Sequence, residues 1–358
     1  MNGRNDIRKI VVRGTNWLGD AVMSVPALRE LSRIFPDAEI VLHSKGSVNG
    51  IFADADFIDR IMPYENRPSK IRRTIEEADR LIEDDFDLAI LFPNSFESAL
   101  TSRLAKIPRR IGYNKDLRGL LLTHPIPVPE WKEHQHEVFY YLNLVAEAER
   151  KYLSTSTVPI GPPDISIPVS AERQARAAAR LTEMGADPSK KVIAIGAGST
   201  NSMAKRWPAE RFASLASALA AEVEAEIVLM GSDTERPAVQ DVADLCGVPT
   251  INIAGETSVE EAAAVLSVAD LLVSNDMGLA HLAPAVGTKT AVIFGPTNPV
   301  TTRPYSDNAV VIRTGVDCSP CMLRDCPIDH RCMTGIAVDS VLGVCLELLE
   351  AKDDAWVI

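Results

Sequence analysis

Short apolar runs alternate with amphipathic segments along nearly the whole chain. Apolar runs at 7–13, 57–62 and 87–92 are each followed by a stretch in which apolar residues recur at helical spacing. Strands that alternate with helices are typical of a parallel sheet, because each connection between parallel strands has to cross back over the sheet. The sequence therefore predicts an α/β protein built on doubly wound parallel sheets.

The alternation occurs in two series of similar length. The second series begins with an apolar run at 191–196, after a proline-rich segment at 153–169 that we interpret as a linker with an edge strand. A chain of 358 residues is long enough for two domains, each with its own core. We expect an N-terminal Rossmann-like domain over residues 1–165 and a C-terminal one over residues 166–358, facing a central cleft.

Composition limits the classes of function that the chain can serve. The apolar fraction of 46% and the charged fraction of 24% are those of an ordinary globular protein, and the net charge of −12 argues against nonspecific nucleic-acid binding. The chain begins without a secretory leader pattern, and it has no apolar run near the ~18 residues of a membrane span. We therefore expect a cytoplasmic protein with reduced cysteines.

The segment from Ser274 to Pro299 has the pattern of a strand, a turn, a helix, a strand and a turn. Polar residues, including Asp276, come just after its first apolar run, where a parallel sheet binds its ligands. Gly278 allows close approach to the backbone, and a helix that begins there offers unpaired N–H groups to an anion. The pattern predicts a cradle for a diphosphate.

The loop after the run at 191–196 carries glycines, hydroxyls and two adjacent cations. Ser199, Thr200, Lys205 and Arg206 are groups that suit phosphate oxygens, although the glycine and lysine spacing is not that of a P-loop. The alternative is a solvated loop with a chance pair of cations. Pro208 indicates where the next helix begins.

Three further titratable residues each allow two interpretations. Asp20, near the start of the first helix, is either a helix N-cap or a general base. Glu235, after a strand end, is either a first-turn carboxylate favoured by the helix dipole or a ligand for ribose hydroxyls. His281, three residues after Gly278, is either a buried structural histidine or part of the anion site.

Four cysteines follow a C-x2-C-x4-C-x5-C spacing within fifteen residues. Four thiols so close in sequence favour a tetrahedral metal site, with zinc the usual occupant and a structural role rather than a catalytic one. The spacing departs from the common paired zinc pattern, so disulfides or free thiols are the alternatives. The residues are Cys318, Cys321, Cys326 and Cys332.

Several of these motifs, taken in order, resemble the ADP-heptose:lipopolysaccharide heptosyltransferase family, with heptosyltransferase II as the most similar branch. The similarity covers nearly the whole chain and lies in many short motifs, no one of which is specific alone. They are Gly19-Asp20 with Pro26, Pro93 to Ala99, Arg110 to Tyr113, Ala204 to Pro208, Ala254 to Thr257, Asn275 to His281, and Gly295 to Thr297.

The resemblance implies a B-type glycosyltransferase fold and an inverting transfer of heptose from ADP-heptose that requires no cofactor. It implies that Asp20 is the catalytic base, that Lys205 contacts the phosphates and acts in catalysis, and that Glu235 binds the adenosine ribose. With the loop residues above, the expected donor site is Ser199, Thr200, Lys205, Arg206, Glu235, Asp276, Gly278, Leu279 and His281, and the expected acceptor site is Asn94, Ser95 and Arg110.

The resemblance also implies partners and a location. The acceptor is the heptose I–Kdo–lipid A inner core of lipopolysaccharide, held by the first domain, with peripheral contact to the cytoplasmic face of the inner membrane. The last helix of such a fold usually crosses back to the first domain. The cysteine segment is not general in the family, so the resemblance assigns it no role. Related heptosyltransferases that modify proteins carry a cysteine-bound iron, which leaves iron beside zinc as a candidate for a structural metal there.

Three other functions remain open from the sequence. A heptosyltransferase of the same fold could use Kdo, another glycan or a protein as its acceptor. A sugar-nucleotide epimerase shares the two-domain architecture and would turn over a sugar nucleotide without an acceptor. A non-catalytic nucleotide-binding protein would bind ADP-heptose without reacting, which the presence of Asp20 disfavours.

Overall fold

The chain consists of two compact units, Met1–Ile165 and Ser166–Ile358. The structure, a computed structural model, describes residues 7–64, 69–159 and 162–351. Each unit contains one six-stranded sheet in which every strand pair is parallel. The predicted α/β fold with two doubly wound parallel sheets is therefore confirmed.

The sheet of the first unit has the strand order β3-β2-β1-β4-β5-β6. The chain moves outward from β1 in one direction and then returns to place β4 on the other side of β1. Ligands of such sheets bind at this reversal, beyond the carboxyl ends of the two central strands. The strands are β1 (Lys9–Arg13), β2 (Glu39–Lys45), β3 (Arg60–Tyr64), β4 (Leu88–Leu91), β5 (Arg109–Tyr113) and β6 (His124–Ile126).

Helices cover the sheet of the first unit and bury its apolar side chains. Ala78 and Leu81, for example, pack in one cluster with Val11, Val41 and Ala89 of the three neighbouring strands. The helices are α1 (Leu18–Met23), α2 (Val25–Ile34), α3 (Gly46–Asn49), α4 (Lys70–Glu83), α5 (Phe96–Leu104) and α6 (Glu137–Tyr152). Of these, α6 packs against α1 and α2.

The second unit repeats the same topology, with the strand order β12-β11-β10-β7-β8-β9. Its reversal lies between β7 and β10, whose registers pair Val273 with Ile195. The loops that follow these two strands carry most of the expected donor residues. The strands are β7 (Lys191–Gly196), β8 (Ala225–Leu229), β9 (Thr250–Asn252), β10 (Leu271–Asn275), β11 (Lys289–Ile293) and β12 (Ala309–Ile312).

The helices of the second unit enclose a large apolar core on its sheet. They are α7 (Ala171–Glu183), α8 (Ala209–Val223), α9 (Arg236–Leu245), α10 (Val259–Ser267), α11 (Gly278–Ala285), α12 (Pro299–Thr302), α13 (Arg331–Thr334) and α14 (Val338–Glu350). The last helix, α14, packs on α8, β10 and β11 of its own unit. Residues 352–358 lie outside the described residues.

Local predictions fail at a few places. The edge strand expected within 153–169 is absent from the described part of that segment, which runs in irregular backbone on both sides of residues 160–161. Of the four edge strands, β3 and β9 were expected from apolar runs at 57–62 and 250–253, whereas β6 and β12 were not predicted. Across the described ranges, none of the helices has the length and apolar character needed to span a bilayer.

Candidate active site

The two loops at the reversal of the second sheet are joined by one buried side chain, Asn275, at the end of β10. Its amide donates to the carbonyls of Ala197 (2.8 Å) and Gly198 (3.1 Å), and its Oδ1 accepts from the backbone N–H of Trp207 (3.0 Å). These three hydrogen bonds all go to the loop after β7. This amide therefore fixes both ends of the loop that carries Ser199 and Lys205 relative to the sheet.

Asp276, the next residue, is a buried carboxylate with two side-chain partners in the second unit. Its Oδ2 accepts from the ammonium group of Lys205 at 2.8 Å and from the hydroxyl of Thr297 at 2.6 Å. The side chain of Asp276 is only 5% exposed, whereas that of Lys205 is 26% exposed. A buried carboxylate thus holds a lysine whose side chain is partly exposed.

His281 lies on α11 beside this ion pair. Burial lowers the pKa of its imidazole to about 4. The negative charge of Asp276 raises this pKa and the positive charge of Lys205 lowers it, so the two charges oppose each other. The ring is therefore neutral near pH 7, and its buried Nδ1 has no hydrogen-bond partner among the residues that the structure describes. The environment is that of a buried neutral histidine at the edge of an anion site.

The helix α11 begins at Gly278, immediately after this pair. Its N-cap residue, Met277, is extended and provides no side-chain capping bond. The first N–H groups of a helix have no acceptor within the helix, and the helix dipole places partial positive charge there. The amides of Gly278 and Leu279 belong to this first turn. The predicted strand, turn and helix are therefore present, and the helix begins where an anion would be bound.

Glu235 is buried against the loop after β7, at 4% exposure. Its Oε2 accepts from the backbone N–H and the hydroxyl of Ser232, both at 2.8 Å, so it closes a capping box at the turn before α9. A Cβ placed on Gly198 would lie 2.6 Å from Cδ of Glu235, which means that glycine is required for the loop to approach this carboxylate. The structure therefore gives Glu235 a capping role and places it at the same reversal.

The remaining loop residues lie close by. The Arg206 guanidinium donates to the carbonyl of Ser199 at 3.0 Å, and its buried Nε has no partner within the described ranges. Thr200 is exposed, and its hydroxyl is 3.5 Å from that of Thr234. Ser199 is buried. The expected donor residues of the second unit are thus gathered around the carboxyl ends of β7, β8 and β10.

Asp20 lies in the first turn of α1, directly after the loop that follows β1 of the first unit. The N-cap residue of this helix is Trp17, so the interpretation of Asp20 as the N-cap is wrong. The carboxylate is half-buried, and its Oδ1 accepts a hydrogen bond from the hydroxyl of Tyr141 at 3.1 Å. A first-turn position favours the ionised carboxylate through the helix dipole.

Asn94 and Ser95 follow β4, on the other side of the reversal in the first unit. Ser95 is the N-cap of α5, where its hydroxyl accepts from the N–H of Ser98 at 3.2 Å. Asn94 donates to the hydroxyl of Tyr140 (3.1 Å) and accepts from Arg118 (3.3 Å). Both residues thus have structural partners, and Ser95 remains exposed.

Arg110 is placed differently from the expectation that it binds an acceptor. It is buried on β5, and its guanidinium donates to the backbone carbonyls of Leu121 (2.8 Å) and Ile107. Burial lowers the pKa of this side chain. These contacts give Arg110 a structural role in joining β5 to the segments that precede and follow it.

The four cysteines carry free thiols, so the disulfide alternative is not what the structure shows. Cys318 and Cys321 are exposed, Cys326 is half-buried and Cys332 is buried. Burial raises the pKa of Cys332, and the nearby thiols raise it further. Over the described ranges, His, Cys, Asp and Glu side chains form no group of three or more arranged to hold a metal ion. The predicted zinc or iron site is not supported.

The cysteine segment nevertheless contacts the donor loops. The N–H of Cys321 donates to the carbonyl of Pro296 (3.0 Å), and the Ser319 hydroxyl donates to that of Gly295 (2.6 Å). The carbonyl of Arg324 accepts from the N–H of Ala204 at 2.9 Å. The segment therefore braces the turn after β11 and the turn that carries Lys205.

Sequence reasoning missed three residues that organise these sites. Arg118 is fully buried, donates to the carbonyls of Pro93 and Tyr113, and has its pKa lowered to about 10 by burial. Asn275 was part of a recognised motif without an assigned role. Tyr141 had no signal in the sequence, because its partner Asp20 is 121 residues away.

The chain was compared with protein families and with known relatives. Residues 76–331 match glycosyltransferase family 9 (heptosyltransferase). The chain is 25% identical to lipooligosaccharide heptosyltransferase 2 of Campylobacter jejuni, over 96% of this chain and 98% of that protein. It is 27% identical to lipopolysaccharide heptosyltransferase 2 of Escherichia coli strain K12, over 85% of this chain and 88% of that protein.

A solved structure gives the same assignment. The fold matches that of the E. coli ADP-heptose lipopolysaccharide heptosyltransferase II with a TM-score of 0.81 at 26% identity, over 95% of this chain and 98% of that one. The resemblance drawn from the sequence motifs is thus confirmed, and the B-type fold with it. The chain belongs to glycosyltransferase family 9, the heptosyltransferase family, and is a glycosyltransferase.

Proposed function

We propose that the protein transfers L-glycero-D-manno-heptose from ADP-heptose to the heptose I–Kdo–lipid A inner core of lipopolysaccharide, with inversion at the anomeric carbon. Family membership and the activities named for its relatives in C. jejuni and E. coli support the substrate class. The observation that carries the proposal is Lys205, held by buried Asp276 beside the first turn of α11. This arrangement suits a diphosphate.

The donor is bound by groups with different tasks. The ammonium group of Lys205 and the amides of Gly278 and Leu279 bind the diphosphate oxygens, with Thr200 and the neutral His281 bordering them. Ser199 and Arg206 shape the loop, and Glu235 accepts hydrogen bonds from the adenosine ribose. Asp276 acts through Lys205, whose ammonium group it orients at 2.8 Å.

The reaction is a single displacement. The acceptor oxygen attacks the anomeric carbon on the face opposite the diphosphate, and its proton passes to the carboxylate of Asp20. The bond between the anomeric carbon and the phosphate oxygen breaks, and ADP leaves with the electron pair. The state between is oxocarbenium-like, as in glycoside hydrolysis. The charge that develops on ADP is stabilised by Lys205 and the α11 amides. The base and the groups that stabilise the departing ADP are all residues of this chain.

The acceptor is assigned to the first unit, where Asp20, Asn94 and Ser95 follow the two central strands at their reversal. Arg110 is left out of the acceptor site because its donors are directed to backbone carbonyls. A lipid A-linked acceptor brings the protein into peripheral contact with the cytoplasmic face of the inner membrane. The cysteine segment has a structural role, exerted through its contacts with the donor loops.

Mass spectrometry of reaction products tests the proposal. ADP-heptose is incubated with a panel of acceptors: Kdo–lipid A, the same molecule bearing one heptose, an unrelated glycan and a denatured protein. We expect one heptose to be added to the acceptor that already carries one. Addition only to another member of the panel would overturn the acceptor assignment. Turnover of ADP-heptose to an isomeric sugar nucleotide without an acceptor would favour an epimerase.

A further inference from the structure

A buried tyrosine contacts the carboxylate that the proposed function makes the base. Tyr141 lies on α6, is 5% exposed, and has its hydroxyl 3.1 Å from Oδ1 of Asp20. Its ring packs against Phe92, which follows β4, with ring centroids 5.3 Å apart, and against Tyr140 at 6.4 Å. Since α6 also packs against α1, the tyrosine has little freedom to leave the carboxylate.

We propose that Tyr141 is a positioning residue for the transfer: by donating its hydroxyl hydrogen to Asp20, it orients the carboxylate and favours its ionised, proton-accepting form. This inference rests on the proposed function. A hydrogen bond donated to a carboxylate stabilises the charged form relative to the protonated form. A rigid buried donor also fixes the carboxylate torsions before the acceptor binds, which lowers the cost of reaching the reactive geometry.

The direction of donation follows from the surroundings of the tyrosine. Burial raises the pKa of Tyr141 well above its ordinary value, and the charges of Asp20 and Glu137 raise it further. Glu137, on the same helix, is paired with Lys132, and Tyr140 is the other titratable neighbour. Tyr141 therefore keeps its proton throughout the working pH range and remains a donor to Asp20.

Tyr113 is a buried tyrosine of the same unit that serves as a control for Tyr141. Its hydroxyl donates to the carbonyl of Tyr140 at 2.8 Å, without contact to Asp20 in the hydrogen bonds described. The substitution Tyr113→Phe therefore removes the same atom from the same unit. It controls for the loss of stability that follows when a buried hydroxyl and its hydrogen bond are removed.

The test is the pH dependence of kcat from about pH 2.5 to about pH 8 with ADP-heptose and the one-heptose acceptor, a range that begins below the ordinary Asp pKa of about 3.9. In Tyr141→Phe, we expect the midpoint of the acid limb to move up by about one pH unit, which corresponds to about 1.4 kcal/mol. The KM for ADP-heptose should stay near that of the wild type. Tyr113→Phe should keep the wild-type midpoint. An unchanged midpoint in Tyr141→Phe would overturn the inference.

Two additional variants test the role of Tyr141 without relying on Tyr141→Phe alone. Tyr141→3-fluorotyrosine retains the ring and the hydroxyl but is a stronger donor, so the acid limb should move to lower pH even if Tyr141→Phe does not fold. If the midpoint does not move in the fluorinated variant, the inference fails. Asp20→Asn distinguishes a failure of the proposed function from a failure of the inference on Tyr141. Retained turnover in Asp20→Asn would show that Asp20 is not the base. Lost turnover in Asp20→Asn, together with an unmoved acid limb in the Tyr141 variants, would overturn the inference on Tyr141 alone.

Discussion

Replacing Lys205 by methionine separates two roles that the structure combines in one side chain. Lys205 neutralises the buried carboxylate of Asp276 at 2.8 Å, and in the proposed mechanism it also stabilises the departing diphosphate. Lys205→Met removes both contributions. The double variant Lys205→Met/Asp276→Asn removes the diphosphate contact but no longer leaves an uncompensated charge. Comparing the two variants shows how much of the loss belongs to each role.

The expected loss of stability follows from the exposure of the pair. Breaking a fully buried ion pair from one side costs about 3–5 kcal/mol, whereas an exposed pair contributes about 0–1 kcal/mol. Asp276 is 5% exposed and keeps its bond from Thr297, and Lys205 is 26% exposed. We therefore expect Lys205→Met to lower the free energy of unfolding by about 2 kcal/mol. For a unit of this size, that change lowers Tm by roughly 5 °C.

The assay pairs thermal unfolding with steady-state kinetics. In Lys205→Met, kcat should fall by about 10²–10³, the usual effect of removing one preorganised charge-stabilising group. The double variant should recover most of the lost Tm but none of the lost kcat. Lys191→Met is the matched control, because Lys191 forms an exposed pair with Asp270 at 3.7 Å at the opposite end of β7. It should change neither quantity appreciably.

Two outcomes would contradict the proposed role of Lys205 in stabilising the departing diphosphate. If the double variant regained the wild-type kcat, Lys205 would serve only to neutralise Asp276, and the diphosphate would have to be stabilised by other groups. If Lys205→Met raised only the KM for ADP-heptose, the lysine would contribute equally to ground-state and transition-state binding.

Three further changes test the surroundings of the donor. Glu235→Ala should raise the KM for ADP-heptose roughly tenfold, about 1.4 kcal/mol, because the ribose loses its acceptor. Gly198→Ala should have a similar effect on KM, since the added methyl group would lie 2.6 Å from Cδ of Glu235. His281, with its pKa lowered to about 4, destabilises the fold as pH falls below about 6.5, because only the unfolded chain then takes up the proton. Between pH 7 and pH 5, the free energy of unfolding of His281→Asn should therefore fall by about 2 kcal/mol less than that of the wild type.

Each of these predictions has a contradicting result. An unchanged KM in Glu235→Ala would leave this carboxylate with its capping role alone, and a wild-type KM in Gly198→Ala would show that Glu235 need not occupy its present position. Equal pH slopes for the wild type and His281→Asn, measured by denaturant unfolding, would contradict a neutral buried histidine. Burial also lowers the pKa of His43, but this residue is present in both proteins, so its contribution to the pH dependence cancels in the comparison.

The sequence predicted the central strands because they are continuous apolar runs buried on both faces. Strands β1, β4, β7 and β10 are of this kind, and the polar residues that follow them were correctly expected at strand ends. Two of the four edge strands, β6 and β12, were missed, and β6 shows a physical reason. In β6, three residues with a central proline pair with β5 on one side only, so they carry little apolar signal.

The candidate site was predictable as far as local pattern determines it. Gly278 and Lys205 were proposed from turn chemistry and the position of strand ends, and the structure places Lys205 in an ion pair with Asp276 and Gly278 at the start of α11. Their binding roles stay predictions. The roles of Tyr141, Arg118 and Asn275 depend on partners that only the folded chain brings near. Arg110 shows the limit of motif reasoning, because a cation in a recognised motif was assigned to a ligand, whereas the fold directs two of its donor nitrogens to backbone carbonyls.

In the proposed mechanism Asp20 takes the proton of the acceptor, and the variant Asp20→Asn removes that function. The substitution keeps the shape of the side chain and an oxygen that can accept from Tyr141, but it removes the base. ADP-heptose binding, measured by calorimetry, should stay within about threefold of the wild type, while turnover should fall by about 10³-fold or more. Turnover within about tenfold of the wild type, with the donor bound normally, would contradict the account.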